Sequence, residues 1–342
     1  MKNIYDKIRS GKKVLIAEAG VNHNGNLAIG EKLIKAAKKA GADCIKFQTY
    51  KAKSLTTKNA KRFWSWKGEK KKKGSQFDSY SILDQFNFEE YKALYNLCKK
   101  YKIEFQSTPF DVDSVKLLEK LNVNTYKIAS CDITNFLLLE KIARTKKPIF
   151  LSTGASNLHE IQQAVNFIKR FNKKIVIMHC ILKYPTPIDK INLKSIEVLR
   201  KKFKEYFIGF SDHTLGTLAP TIAASLGASV IEKHFTIDKT LKKSADHWLS
   251  VDQNELKVIA RNIKDVQNSF GTFEKKSFKW EKIARDNARR SLVASKNINK
   301  NEIFTKENIT AKRPGTGKAK ANEYFHYLGK RAKKKYKLDD MI

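Results

Sequence analysis

From residue 14 to about residue 270 the chain repeats one unit, a short β-rich run followed by an amphipathic helical pattern. The β-rich runs fall at 14–20, 42–50, 103–110, 125–130, 148–154, 174–180, 206–213 and 228–236. Helical patterns such as NLAIGEKLIKAAKKAG and NLHEIQQAVNFIKRF fill the gaps. Eight alternations over about 250 residues predict an α/β fold, a (β/α)8 or TIM barrel. An open doubly wound sheet competes, but it would carry a GxGxxG turn after its first strand, and EAGVNHNGN does not match.

A barrel places chemistry at the C-terminal ends of its strands. Those ends are polar here: Glu18; Lys46 and Gln48; Ser107 and Thr108; Lys127 and Ser130; Ser152; His179; Ser211, Asp212 and His213; Glu232, Lys233 and His234. Such a ring reads as an active site. His213 and His234 close the seventh and eighth strands, and neighbouring strands lie about 5 Å apart, so both imidazoles can reach one ion. Two imidazoles without cysteine leave positions open to water or substrate oxygen. That suits a six-coordinate Lewis acid such as Mn2+ better than a closed zinc site. Hydrogen-bonding roles for the two rings are the alternative.

Lys46 and Gln48 are two apart on a strand and share a face. With Lys127, Thr108, Ser130, Ser152 and Ser211 they supply two cations and several hydroxyls, a set fitted to a compact phosphate-plus-carboxylate ligand. Glu18 is positioned to orient a sugar hydroxyl, to move a proton, or to pair with Lys46 or Lys127. Alternation puts Glu232 and His234 on one side of the last strand and Lys233 on the other. Glu232 is then a partner of the site or its substrate, and Lys233 a structural ion-pair member.

Composition matters at three points. The net charge of +35, from 69 Lys and Arg against 34 Asp and Glu, raises the question of nucleic acid. The lysines are spread over the polar faces of helical patterns, and only 67–74 and 329–337 are dense. No RNP, zinc-finger or basic-zipper pattern accompanies them, so no nucleic-acid partner is expected. The four cysteines form no CxxC pair, and Cys180 reads as a small buried thiol. No run is long and apolar enough for a membrane span, and the N-terminus lacks the apolar region of a signal peptide, so no membrane and a cytoplasmic location are expected.

The expected domains are 1–272, the barrel, with a long lid-like loop at 51–87; 273–287, a linker; and 288–342, a small β-rich domain. RPGTG in the last of these lacks the Lys-Ser/Thr of a phosphate loop.

The ordered motifs EAGVNHNG, KFQTY, STPF, YKIAS, STG, YPTP, GFSDHTLG, EKHFT, DKT…DH and RPGTG resemble those of the sialic acid synthase family, from residue 14 to about 320. The family condenses phosphoenolpyruvate with an open-chain N-acylated amino sugar. The resemblance implies that His213 and His234 bind the divalent metal, and that Lys46, Thr108, Lys127, Ser130, Ser152, Tyr184 and Ser211, with Gln48 nearby, hold phosphoenolpyruvate. It further implies that Glu18, Asp132 and Asp246 serve the amino sugar. It makes the small domain an antifreeze-like (SAF) domain whose Arg313 reaches the N-acyl group in the partner's barrel, so the enzyme is expected to be a domain-swapped homodimer. The sugar is expected to resemble N-acetylmannosamine, with a diacetamido-trideoxy hexose, leading to legionaminic or pseudaminic acid, as the alternative.

Three departures bear on the sugar. Leu182 stands where well-known bacterial members have Asn, Asp132 where many have Glu, and KKSADH replaces Pro-Gly-Pro-Asp-His. The last keeps Asp246 and His247 on a less rigid loop.

Overall fold

A computed structural model describes residues 2–64 and 74–342. They divide into two compact units, Met1–Phe270 and Gly271–Ile342.

The first unit is a closed barrel of eight parallel strands in sequential order. They are β1 (Val14–Gly20), β2 (Cys44–Thr49), β3 (Glu104–Pro109), β4 (Tyr126–Ile128), β5 (Ile149–Ser152), β6 (Ile175–Cys180), β7 (Phe207–Asp212) and β8 (Val230–His234). β1 pairs with both β2 and β8, which closes the ring. Every expected strand is present; β1 has the expected bounds, and the other seven are shortened at one or both ends where the chain turns.

Alternation along each strand sorts the side chains into two sets. Leu15, Ala17, Ile45, Phe47, Phe105, Ile177, Phe210 and Ile231 pack outward in the large core shared with the surrounding helices. Val14, Ile16, Cys44, Phe150, Val176, Met178 and Val230 form a second core with Ile4 and Ile8 of the helix Ile4–Arg9. That helix therefore closes the N-terminal end of the barrel. The surrounding helices are locally encoded: Asn26 accepts from the amides of Ala28 and Ile29 to start Leu27–Ala40, and Gly41 ends it at φ 95°.

Glu104 lies buried beside this plug. Its Oε2 accepts from the Ile4 amide at 2.6 Å and its Oε1 from Thr125 Oγ1 at 3.2 Å. Burial outweighs these bonds and pushes the carboxyl up to about 7. An acid raised in the folded state binds more protons folded than unfolded, so this group's stability contribution is complete below its ordinary pKa and is lost as pH rises through about 7. Glu104→Gln is therefore expected to flatten the pH dependence of stability between about pH 4.5 and 7, with its largest gain over wild type above pH 7. Denaturant melts across that window test it; an unchanged slope would exclude Glu104 as its source.

The stretch 51–87 departs from the expected plain loop. It contains the helices Ala52–Leu55 and Gln76–Ser81, the latter started by a Ser75–Asp78 capping box. Val21, Tyr50 and Leu83 form a small core there, with Tyr80 and Phe110 against it. Local capping and aromatic packing order these described parts of a stretch that composition alone presented as loop. Residues 65–73, and with them most of the 67–74 lysine cluster, lie outside the described residues.

In the second unit, β9 (Ser291–Ala294) pairs antiparallel with β10 (Ile309–Lys312). Ala294, Ile298, Phe304, Ile309, Ala332 and Tyr336 form its core. The expected linker is partly helical, at Lys282–Ala288. Arg313 is exposed and precedes Pro314 in a cis peptide. Among the described residues no helix is long and apolar enough to cross a membrane.

Candidate active site

Register sets the site. Glu18 sits opposite Lys46 on one side and His234 on the other, while Gln48 faces Thr108, Cys180 faces Ser211, and Ser211 faces Glu232. These residues share the inward face and the C-terminal end of the barrel, so six separate strands deliver one cluster.

Four ionisable groups, all buried, meet there. Lys46 Nζ lies 2.7 Å from Glu18 Oε2 and 3.7 Å from Glu232 Oε1. Lys127 Nζ donates to the same Glu232 Oε1 at 2.8 Å, and Ser211 Oγ donates to it at 3.0 Å. Lys46 also donates to Thr108 Oγ1 at 3.0 Å, and Gln48 Nε2 to Glu18 Oε1 at 3.2 Å. The inward lysines thus have their anions in the chain itself, and the pairing of Glu18 with Lys46 is one of its three expected roles.

The two carboxylates are not equivalent. Burial pushes Glu18 up to about 7, Lys46 opposing and Glu232 reinforcing the shift. Burial acts on Glu232 as well, but Lys127 and Lys46 together outweigh it and hold that carboxylate well below its ordinary range. One acid is kept ionised and the other poised near neutrality, the division that acid–base chemistry requires.

Beside this network stand the two histidines. Their ring centroids are 5.4 Å apart, and the Tyr184 ring lies 4.0 Å from that of His213 and 5.7 Å from that of His234. His213 Nδ1 donates to the Ile181 carbonyl at 2.7 Å, which leaves Nε2 as its acceptor nitrogen. His234 is held neutral chiefly by burial, with the His213 charge reinforcing it, and its buried Nδ1 has no hydrogen-bond partner among the described residues. Asp246 Oδ2 lies 3.7 Å from that nitrogen. His234 is thus in the neutral state, with an open lone pair, that a divalent cation needs of a donor; at His213 burial is outweighed by Cys180 and the Ile181 carbonyl, which raise the ring above its ordinary value. Among the described residues no group of three or more His, Cys, Asp or Glu is spaced to hold an ion. The chain would therefore provide two imidazoles and leave the remaining positions to water or substrate.

Ser152 Oγ and Glu232 Oε2 are also buried without a hydrogen-bond partner among the described residues. Ser130 Oγ accepts from the Gly154 amide at 2.8 Å. A Cβ at Gly154 would lie 2.8 Å from that Oγ and 3.0 Å from the Leu182 nitrogen, so the STG turn has room for glycine alone. Asp132 is held by Asn135 Nδ2 at 3.2 Å and joins neither cluster by hydrogen bond.

The expected ring is narrower than the polar strand ends suggested. Ser107 bonds Thr49 Oγ1 at 2.7 Å, and His179 stacks on Phe210 and bonds the Ile191 carbonyl at 2.8 Å. Asp212 binds Lys233 Nζ at 2.7 Å, as the structural pairing expected of that lysine. All four face outward, because alternation leaves only every second residue on the barrel axis. Two contributors were not anticipated as parts of the site. Cys180 Sγ approaches His213 Nδ1 at 3.8 Å, and His247 ties the Asp246 loop to its neighbours. Cysteine at an inward strand end was the available signal for the first; for the second it was the DKT…DH motif, which carries His247 but says nothing of the partners of its ring.

The molecule also has clear relatives. The NeuB family pattern matches residues 33–275, and the SAF domain pattern residues 289–342. The chain is 42% identical over 334 residues to the N,N'-diacetyllegionaminic acid synthase of Campylobacter jejuni, covering 97% of this chain and 99% of that protein. It is 37% identical to the pseudaminic acid synthase of the same species, with 97% and 96% covered. An N-acetylneuraminic acid (sialic acid) synthetase structure from Leptospira borgpetersenii, with citrate, superposes with a TM-score of 0.70 at 33% identity, over 80% of this chain and 90% of that one. Barrel, inward site and C-terminal unit together place the protein: it is an enzyme of the NeuB family, the nonulosonic acid synthases, carrying a SAF domain.

Proposed function

We propose that the chain is a transferase that condenses phosphoenolpyruvate with an open-chain N-acylated amino sugar of the N-acetylmannosamine kind and water. A carbon–carbon bond forms between C3 of phosphoenolpyruvate and the aldehyde carbon. Water adds at C2, the bond between C2 and the ester oxygen breaks with that oxygen staying on phosphorus, and inorganic phosphate is released, leaving a nine-carbon 2-keto-3-deoxy acid whose C2 carbonyl oxygen comes from water. The observation carrying this reading is the cluster of Lys46 and Lys127 with the unpartnered Ser152 Oγ, directly beside two open imidazoles.

A divalent cation, Mn2+ with Mg2+ or Co2+ as substitutes, would be held by His213 and His234 and, when bound, polarises the aldehyde carbonyl. Lys46 and Lys127 bind the phosphate and carboxylate of phosphoenolpyruvate, aided by the hydroxyls of Thr108, Ser130, Ser152 and Ser211 and by Gln48 and Tyr184. Their pairs with Glu18 and Glu232 must loosen for this. Glu18, near half-protonated at neutral pH, can take a proton and release Lys46 toward the ligand. Asp246 and Asp132 orient the sugar hydroxyls. Arg313 serves the N-acyl group in the partner's barrel, in a domain-swapped homodimer. The location is cytoplasmic, without membrane or nucleic-acid partners.

A second reading takes a diacetamido-trideoxy hexose and yields legionaminic or pseudaminic acid. It is favoured by the name of the relative at 42% identity and by the apolar Leu182 beside Gly154.

Purified protein is incubated with phosphoenolpyruvate, Mn2+ and a panel comprising N-acetylmannosamine and diacetamido-trideoxy hexoses, and phosphate is assayed. Sugar-dependent release is expected, and its preference chooses between the two sugars. No release with any sugar sinks both readings. Strong salt-dependent binding to random DNA without turnover would favour a nucleic-acid-binding barrel instead.

A further inference from the structure

The segment carrying Asp246 leaves the barrel after β8 and returns at Val251, whose amide donates to the His234 carbonyl at 2.9 Å. Its sequence, DKTLKKSADHWLS, has neither proline nor glycine, so backbone restriction does little to hold it. Something else has to keep Asp246 beside His234. The structure shows what does.

His247 is fully buried, one residue from Asp246, and both its ring nitrogens are used. Nδ1 lies 2.8 Å from Thr236 Oγ1, at the foot of the segment. Nε2 lies 3.0 Å from Asn24 Oδ1, in the turn after β1. A neutral imidazole carries one donor and one acceptor: Nε2–H donates to Asn24, and Nδ1 accepts from the Thr236 hydroxyl, whose single proton is shared with the Asp238 carbonyl at 3.1 Å. Burial holds the ring near a pKa of about 4, which keeps it neutral.

A second tie runs parallel to the first. Asn22, also fully buried, donates from Nδ2 to the Phe235 carbonyl at 2.9 Å and to Ser250 Oγ at 3.3 Å, and Ser250 Oγ donates to the Asp246 carbonyl at 2.7 Å. The loops after β1 and β8 are thus stitched together around Asp246, whose carboxylate lies 3.7 Å from His234 Nδ1.

We propose that His247 is a positioning residue, a clasp from the turn after β1 to the end of β8 that sets where Asp246 meets the amino sugar. The role in sugar binding rests on the proposed function; the clasp itself does not. It acts on one substrate. The phosphoenolpyruvate groups Lys46, Lys127 and Ser211 stand on barrel strands and, among the described residues, share no hydrogen bond with His247 or Asn24, whereas Asp246 is carried by the segment.

Three variants test it: His247→Ala, His247→Gln and Asn24→Ala. Two readouts are taken on the full-length protein. With the panel sugar that wild type turns over fastest, His247→Ala is expected to raise the sugar KM about tenfold while shifting the phosphoenolpyruvate KM less than about twofold. His247→Gln, which retains one donor and one acceptor, is expected to recover part of that loss. Asn24→Ala is expected to act in the same direction, more weakly, because it breaks one end of the clasp. Without any substrate, trypsin cleavage at the exposed Lys242 and Lys243 is expected to quicken several-fold in His247→Ala, and less in His247→Gln.

Equal losses for both substrates would overturn the positioning role, as would an unchanged sugar KM. If His247→Ala does not fold, Asn24→Ala carries the same pair of outcomes. Should wild type turn over no sugar, the proposed function fails, and the cleavage rates still decide whether the clasp exists: no acceleration in either variant removes it.

Discussion

Replacing His213 or His234 by alanine is expected to lower turnover by about 10²- to 10³-fold with Mn2+ present, the equivalent of roughly 3–4 kcal/mol of transition-state stabilisation from a Lewis acid. The reason lies in the geometry. The two rings are 5.4 Å apart at the inner mouth of the barrel, His213 is oriented by the Ile181 carbonyl, and His234 keeps an unpartnered nitrogen in a buried position. With the proposed ligation, removing either ring would halve the protein's share of the coordination and leave the lysine–carboxylate network in place. Manganese affinity should therefore fall in each variant, while phosphoenolpyruvate binding in the absence of metal should change little. Near-wild-type turnover of either variant with metal present would show that the rings are not ligands.

The second large effect concerns stability. Lys233 and Asp212 form an ion pair on the outer face of the barrel, with side chains 1% and 0% exposed. Asp212 also accepts from the Thr214 amide at 2.8 Å and from its hydroxyl at 3.1 Å, and Lys233 Nζ donates to the Thr214 carbonyl. Lys233→Met leaves the Asp212 carboxylate buried without its cation, which is expected to cost about 3–5 kcal/mol. Asp212→Asn in the same chain removes the stranded charge while keeping a carbonyl for Thr214, and should recover a good part of that loss. Denaturant melts of wild type and the two variants measure both quantities. A loss under 1 kcal/mol for Lys233→Met would mean that water reaches Asp212 and that the pair is not closed.

These two predictions concern adjacent residues of one strand, and they show how far local pattern can be read. Glu232, Lys233 and His234 follow one another where a buried strand should be apolar. Alternation alone assigns the outer two to the axis and the middle one to the helices, and the contacts agree: Glu232 meets Lys127 and Ser211, and Lys233 meets Asp212. The same rule, applied to the other strands, would have removed Ser107 and His179 from the ring of polar ends. Counting polar termini without their parity made that ring too wide. The stretch 51–87 was harder to read, because its short helices depend on one capping box and on aromatic contacts with Tyr50 and Phe110 from elsewhere in the chain.

What the sequence determined by itself is the period of the fold and the parity of each strand. Both are local properties, set by side-chain alternation and by helix amphipathicity, and they suffice to name a barrel and to place Glu18, Lys46, Lys127, Ser211, Glu232 and His234 on its inner face. Ring closure decided the rest. Only when β1 meets β8 does Glu18 lie opposite both Lys46 and His234, and only in that enclosed space does desolvation split two like carboxylates into one held ionised and one poised near pH 7. The clasp of His247 between Asn24 and Thr236 belongs to the same class. It joins loops far apart in the chain through side-chain hydrogen bonds, which leave no periodic trace in a sequence because they depend on where the closed barrel brings its loops together.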